Sequence, residues 1–257
     1  MWSVSTQTWG LKFFGYVFSN IGYYFNFIDN RESGDYDQNK ALTPEQGIIT
    51  SRIQSALEYD VVDAQLTLQL GKVELALEKM DNQWGFGRRG NIFLSNKPPS
   101  YPQFKLRVPI SDWMNITYIH SELHSKVVDS ARSYVELVGN NTVANRIAYR
   151  YKYMAAHMVE FTPLKGLDIS LGESVVYSDK IPQLMYLLPL TFFKSGEHYN
   201  RDTDNIQFFG AIDLNLIKKI NCYASAFIDE ISIDKFFQSD DGRKQVGFTV
   251  GLQTFDL

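Results

Sequence analysis

"NIQFFGAIDLNL", residues 205–216, alternates apolar and polar side chains at a period of two. Ile206, Phe208, Ile212, Leu214 and Leu216 fall on one side, and Gln207, Asp213 and Asn215 on the other. A helix would mix these two sets, whereas a strand turns successive side chains to opposite faces. The stretch therefore predicts a β-strand, and the same period recurs along the chain. Ala64, Leu66, Leu68 and Leu70 alternate with Gln65, Thr67 and Gln69. Leu167, Ile169 and Leu171 alternate with Asp168 and Ser170, and Val246, Phe248, Val250 and Leu252 share a side. Amphipathic helices are scarce; "TPEQGIITSRIQSALEYD" (43–60) is the best candidate, and a strand fits it equally well. The chain reads as all-β, one domain over residues 1–257, with roughly twelve strands.

The connections between strands carry more information than the strands. From residue 81 they alternate long and short: 81–103 is long, "PISD" short, 125–146 long, "TPLKG" short, 178–204 long and "IKKIN" short. In an antiparallel meander this puts the long loops at one end and the tight turns at the other. A soluble β-sandwich has no reason to sort its loops so, whereas outer-membrane barrels do. Several strands also reach about 10 residues, the length a tilted strand needs to cross a bilayer. Tyrosines gather near strand ends, as in "YRYKY" (149–153), where an aromatic girdle would sit. The pattern alone leaves two architectures open, a transmembrane barrel and a soluble β-sandwich with a tyrosine-rich surface.

Composition removes other classes. Charges nearly balance at a net of −4, so the chain lacks the basic footprint of a nucleic-acid binder. A single cysteine, Cys222, rules out an internal disulfide and a cysteine-based metal cage. The longest apolar run, "LMYLLPLTFF" (184–193), is far short of the roughly 20 residues of a membrane helix, and Pro189 interrupts it. The opening "MWSVSTQTWG" lacks the features of a signal peptide.

Four blocks resemble, in order and spacing, the Wzi-like capsule-assembly family. "QWGFGRRGNIFLSNKPPSYPQFKL" (83–106) resembles its Trp-Gly-x-Gly loop followed by Leu-Ser-Asn. "AAHMVEFTPLKGLDISLGESVVY" (155–177) resembles its His-containing strand, polar turn and Gly-Glu strand. "MYLLPLTFF" (185–193) resembles its Tyr-Leu-x-Pro segment, and "YASAFIDEISID" (223–234) its acidic strand end. Two positions depart from the pattern: Met158 follows His157 where the family carries Arg, and Phe86 replaces the Pro between the loop glycines. The resemblance implies an antiparallel β-barrel in the outer membrane of a Gram-negative bacterium, monomeric and embedded in outer-membrane lipid. Such a protein assists assembly or surface attachment of capsular or extracellular polysaccharide, without catalysis and without a cofactor. Family barrels have about eighteen strands, so the expectation is an incomplete portion of a larger barrel, with its signal peptide missing from this sequence.

"WGFGRRG" (84–90) is not a phosphate loop, because no Gly-Lys-Ser/Thr follows, and no helix pattern follows to make it a dinucleotide fingerprint. One reading is structural: Gly85, Gly87 and Gly90 permit positive φ while Trp84 and Phe93 anchor the loop by packing. The other has Trp84, Arg88 and Arg89 facing a polysaccharide, the indole stacking on sugars and the guanidiniums holding anionic groups. Tyr199 and Arg201 complete this candidate set, on the third long loop.

The remaining candidates are weaker. His120, Glu122 and His124 in "HSELH" share a strand face, but residues two apart lie about 7 Å apart, too far to converge on a metal unaided. Asp229/Glu230 and Asp240/Asp241 invite comparison with glycoside hydrolases, yet neighbouring strand residues point to opposite faces. Glu173 and Asp213 are read as polar-face residues lining a wet lumen, with Ile206, Phe208, Ile212 and Leu214 facing lipid. No metal site and no catalytic constellation is expected. Two alternative functions stand beside the capsule-assembly barrel: a soluble β-rich carbohydrate-active enzyme and a porin-like channel.

Overall fold

The computed structural model describes residues 3–34, 48–53, 56–138, 142–200, 203–229 and 245–255. The fold is all-β. Fourteen strands run in chain order: β1 (Val4–Val17), β2 (Ile21–Gly34), β3 (Ile48–Ile53), β4 (Ala56–Leu70), β5 (Val73–Met80), β6 (Tyr101–Ser111), β7 (Met114–Leu123), β8 (Tyr134–Val138), β9 (Thr142–Arg146), β10 (Lys152–Leu164), β11 (Leu167–Tyr177), β12 (Asn205–Ile217), β13 (Ile220–Asp229) and β14 (Gln245–Thr254). Twelve form one antiparallel sheet in the order β1-β2-β4-β5-β6-β7-β10-β11-β12-β13-β14, with β3 on the free side of β4, while β8 and β9 make a separate hairpin. Segment 43–60, open between helix and strand on sequence, carries β3 and the start of β4; residues 43–47 lie outside the described residues.

Strand neighbours in space are neighbours in sequence, because tight turns and long connections alternate along the whole described chain. The tight turns are 18–20, 71–72, 112–113, 165–166 and 218–219. Four of them use left-handed backbone, which Gly71 (φ 61°) and Gly166 (φ 87°) supply without a Cβ penalty and Phe18 (φ 61°) and Lys219 (φ 67°) supply in the other two. Backbone bonds stitch this end together: Thr162 N–H donates to Trp113 O (2.8 Å) and Asn215 N–H to Gly166 O (2.7 Å). The long connections 81–100, 124–151 and 178–204 all lie at the opposite end, as the sequence alternation predicts.

Register sorts the side chains into two faces of opposite character. Glu78 pairs with Gln103, Gln103 with Ser121, and Asp213 with Asp168, so these share one face, here the polar face. The other carries Leu66, Leu77, Leu171, Phe248, Val250 and Leu252. Burial runs opposite to that of a soluble sheet. Glu78 and Asp213 are each 4% exposed, whereas Phe248 is 72% and Val250 81% exposed. Among the described residues β1 pairs only with β2, and β14 only with β13, so the sheet has two edges and does not close.

Two connections fold back onto the sheet, one on each face. Loop 81–100 lies across the polar face. On the apolar face sits 178–200, which forms a 3₁₀ turn (Leu184–Leu187) and a short helix α1 (Phe193–Tyr199). "LMYLLPLTFF" therefore carries the 3₁₀ turn and opens into the first residue of α1 rather than forming a strand. Tyr186 and Phe193 bury completely against Tyr118, Tyr177, Val175 and Ile206. Ile206 and Phe208, expected to face lipid, are covered by this segment instead; Phe192 stands 6.2 Å from the Phe208 ring.

Candidate functional site

Loop 81–100 is rooted in β5 and β6 but touches β12 and β13, several strands further along the sheet. Trp84 is its anchor. Its backbone pairs with Leu94 across the neck of the loop (Trp84 N–H to Leu94 O, 3.1 Å), which points the indole at the sheet. There it is 5% exposed, packed with Ile119, Met154, Met158 and Phe209. Phe93 stacks on Phe209 at 3.9 Å and lies 5.9 Å from Trp84. An indole so enclosed offers no face to a sugar ring, so Trp84 serves the structural reading rather than the stacking one.

The loop's tip is fixed by one side chain that sequence reasoning passed over. Asn91 Oδ1 accepts the Gly87 N–H at 2.8 Å, folding "GRRGN" into a compact turn. A Cβ on Gly87 would meet Gly90 O at 2.0 Å, so close approach demands glycine there. Gly85 has the expected positive φ (116°); Gly87 and Gly90 do not, and Gly90 faces open space.

Arg88 leaves this tip to reach Asp213 (NH2 to Oδ1, 3.6 Å), half exposed at its own end and buried at the carboxylate's. Asp213 is held further by Asn221 (2.8 Å to Oδ1) and Asn215 (2.6 Å to Oδ2), both donating through Nδ2. Burying a carboxylate costs several kcal/mol unless it is paired and hydrogen-bonded, and these three partners meet that requirement. A second buried network centres on Glu78, which accepts from Gln65 (2.5 Å) and Gln103 (2.7 Å) and pairs with Lys105 (3.4 Å). Asn82, at the root of the loop, donates to Gln103 (2.7 Å) and ties the loop into that network. Arg89 is exposed.

The apolar face holds an arrangement at odds with the sequence reading. Glu173 shares its face with Leu171 and Val175, not with the polar residues, and is 3% exposed beneath α1. Its Oε1 accepts the Phe193 N–H (2.7 Å), an unpaired donor of the first turn of α1, and lies 3.1 Å from His157 Nε2. His157 also packs against the Phe193 ring at 4.6 Å. Glu173 is thus a latch for α1 rather than a lumen-lining carboxylate. Beside it, Tyr118 donates to Tyr186 O (2.7 Å), and Tyr186 donates to Asp204 (2.7 Å). Burial, reinforced by that bond, pushes the Tyr186 phenol above the ordinary tyrosine range.

The five candidate residues do not form one site. Trp84, Arg88 and Arg89 belong to the polar-face loop; Tyr199, 79% exposed, ends α1 on the apolar face with the sheet between them. Arg201 lies outside the described residues, as do Glu230, Asp240 and Asp241. In "HSELH", His120 is buried and shares a 2.7 Å hydrogen bond with Tyr177 OH, while His124 lies beyond the end of β7. Among the described residues no group of three or more His, Cys, Asp or Glu side chains gathers around a metal-sized space. No described helix is long and apolar enough to cross a membrane. No protein-family model, no curated protein and no solved structure matches this chain.

Proposed function

We propose that this chain is part of a monomeric outer-membrane β-barrel that assists assembly or surface attachment of a capsular polysaccharide, and that it acts by binding rather than by catalysis. The observation that carries the barrel reading is the inverted burial of the two faces. Carboxylates and amides are buried on one side, while Trp9, Leu11, Leu66, Leu77, Leu171, Phe248, Val250 and Leu252 stand exposed on the other, from β1 to β14. In water such a band exceeds the apolar patch that a monomer tolerates; in hydrocarbon it is the expected outer surface. The sorting of connections to one end supports the same reading. In the ordered path of eleven strands β1 and β14 run the same way, so an all-antiparallel barrel includes at least one further strand between them.

The polysaccharide part rests on the four resembling blocks, of which the first packs on one face of the sheet and the third on the other, over neighbouring strands. The Trp84 loop packs on Met154, Met158 and Phe209, and Phe93 reaches Phe227 of the fourth block. Glu173 of the second block holds Phe193 of the third. The loop crossing the polar face favours this reading over a porin-like channel, since it occupies the space a pore would use. The test is partitioning: the protein should require detergent and change electrophoretic mobility on heating, and should conduct poorly in a planar bilayer. Recovery in the aqueous fraction without detergent would refute the barrel. Porin-sized conductance would refute the occupied interior.

A further inference from the structure

At the long-connection end a cleft of about 810 Å³ opens on the rim of the sheet, lined by Lys126, Arg150, Tyr151, Lys152 and Asp204 among others. The two arms of the β7–β10 connection hold its cations in place. Arg150 N–H donates to Val127 O (2.9 Å), Asp129 N–H donates to Ala148 O (2.8 Å), and Val128 bridges Tyr149. Lys152 opens β10 on the polar face, in register with Leu123. Ser178 donates to Tyr151 O (2.6 Å), joining the start of the next long connection to the same wall. Arg132 lies over the Tyr151 ring, 4.6 Å from its centroid, and adds a fourth cation.

Basic side chains outnumber acidic ones in the lining of this cleft. Arg88 and Lys105 each have a carboxylate, whereas Lys126, Arg132, Arg150 and Lys152 have none within ion-pair distance among the described residues. Asp204, the one acid in the cleft wall among the described residues, is already engaged by Tyr186 and Asn200. Four cations clustered about a partly exposed tyrosine, on scaffolded backbone, suit a ligand that repeats negative charges on sugar rings.

We propose that this cleft binds an acidic polysaccharide, with Lys126, Arg150 and Lys152 contacting its carboxylates and Tyr151 contacting a sugar ring. The proposal rests on the capsule-assembly reading and narrows it to uronate-bearing polymers. The cleft opens at the rim of the sheet, beyond the ends of β7 and β11, and its lining is rich in cations and hydroxyls, which favours a hydrated polymer over the head group of a membrane lipid.

The experiment is calorimetric titration of the full chain in detergent with tetragalacturonate, and with maltotetraose as the neutral comparator. Tetragalacturonate should bind, more weakly at high salt, and maltotetraose should not. The triple variant K126Q/R150Q/K152Q should lose about tenfold or more in affinity, the worth of one charge-assisted contact. A triple of equal charge change at the tight-turn end, K72Q/K165Q/K218Q, should bind as the parent does. Equal losses in the two triples, or equal binding of the neutral sugar, would overturn the assignment. So would binding confined to vesicles of anionic lipid. A protein that partitions into detergent with heat-modifiable mobility yet ignores tetragalacturonate overturns the cleft alone, whereas one that stays in the aqueous fraction overturns the barrel.

Discussion

Replacing Trp84 by Ala separates the structural role of the loop from a ligand-contact role. An aromatic side chain buries about 150–250 Å², worth about 4–6 kcal/mol at about 25 cal/mol per Å², an upper bound because unfolded chains are not fully extended. Two aromatic pairs, to Phe93 at 5.9 Å and Phe209 at 5.7 Å, are lost with it. Cores that lose a Trp side chain give up about 3–5 kcal/mol, and that range is expected here because Ile119, Met154 and Met158 leave a wall around the void. Trp84→Phe should retain roughly half of the loss. The assay is urea unfolding of detergent-refolded protein, followed by circular dichroism, with the midpoint and slope read separately. A loss below about 1 kcal/mol in Trp84→Ala, combined with loss of polysaccharide retention in cells, would refute the packing argument.

Three further outcomes follow from the buried polar groups. Asp213→Ala should cost about 1–3 kcal/mol for each donor it strands, with Asn221 wholly buried and Asn215 beside it, while Asp213→Asn should cost less; equal unfolding midpoints for Asp213→Ala and the parent would contradict this. Glu173→Ala should release α1, seen as faster limited proteolysis within 178–200 while cleavage elsewhere is unchanged. Glu173→Gln should keep much of the protection, since an amide oxygen still accepts the Phe193 N–H. Tyr186 should titrate above the ordinary tyrosine range in an absorbance titration at 295 nm, as the component that Tyr186→Phe removes. Because its folded value is raised, its contribution to stability is fully present below about pH 10 and declines as pH rises above that, where the unfolded chain ionises first. Tyr186→Phe should flatten that decline.

Much of the fold was legible because a strand writes its two faces into alternate residues. "NIQFFGAIDLNL" puts Asp213 and Asn215 on one side, and the structure keeps them there. The end at which each connection lies followed from counting, since a meander leaves no freedom once the strands are placed. Glu173 was misassigned although its signal was present: Leu171 and Val175 flank it at even spacing, so a charge was sitting on an apolar face. What the alternation does not encode is the partner that makes such a charge tolerable, here a helix N–H twenty residues on. The same blindness applies to "LMYLLPLTFF", whose ten apolar-rich residues specify burial but not a surface to bury against. Trp84 and the cationic rim were opaque for a related reason. An aromatic in a glycine-rich loop reads alike as anchor or platform, and Lys126, Arg150 and Lys152 are scattered in sequence until backbone bonds bring their strand ends together.

The central claim is that the apolar face meets hydrocarbon and the polar face does not. Its most direct measurement is fluorescence quenching by lipids brominated on their acyl chains, in a background where Cys222 is replaced by Ala. Single cysteines at Phe248, Thr249 and Val250, each carrying the same fluorophore, sample the two faces at adjacent positions of β14. The account predicts strong quenching by brominated lipid at positions 248 and 250 and weak quenching at 249, with aqueous iodide giving the reverse order. Iodide quenching at 248 and 250 as strong as at 249, with no effect of brominated lipid, would contradict it.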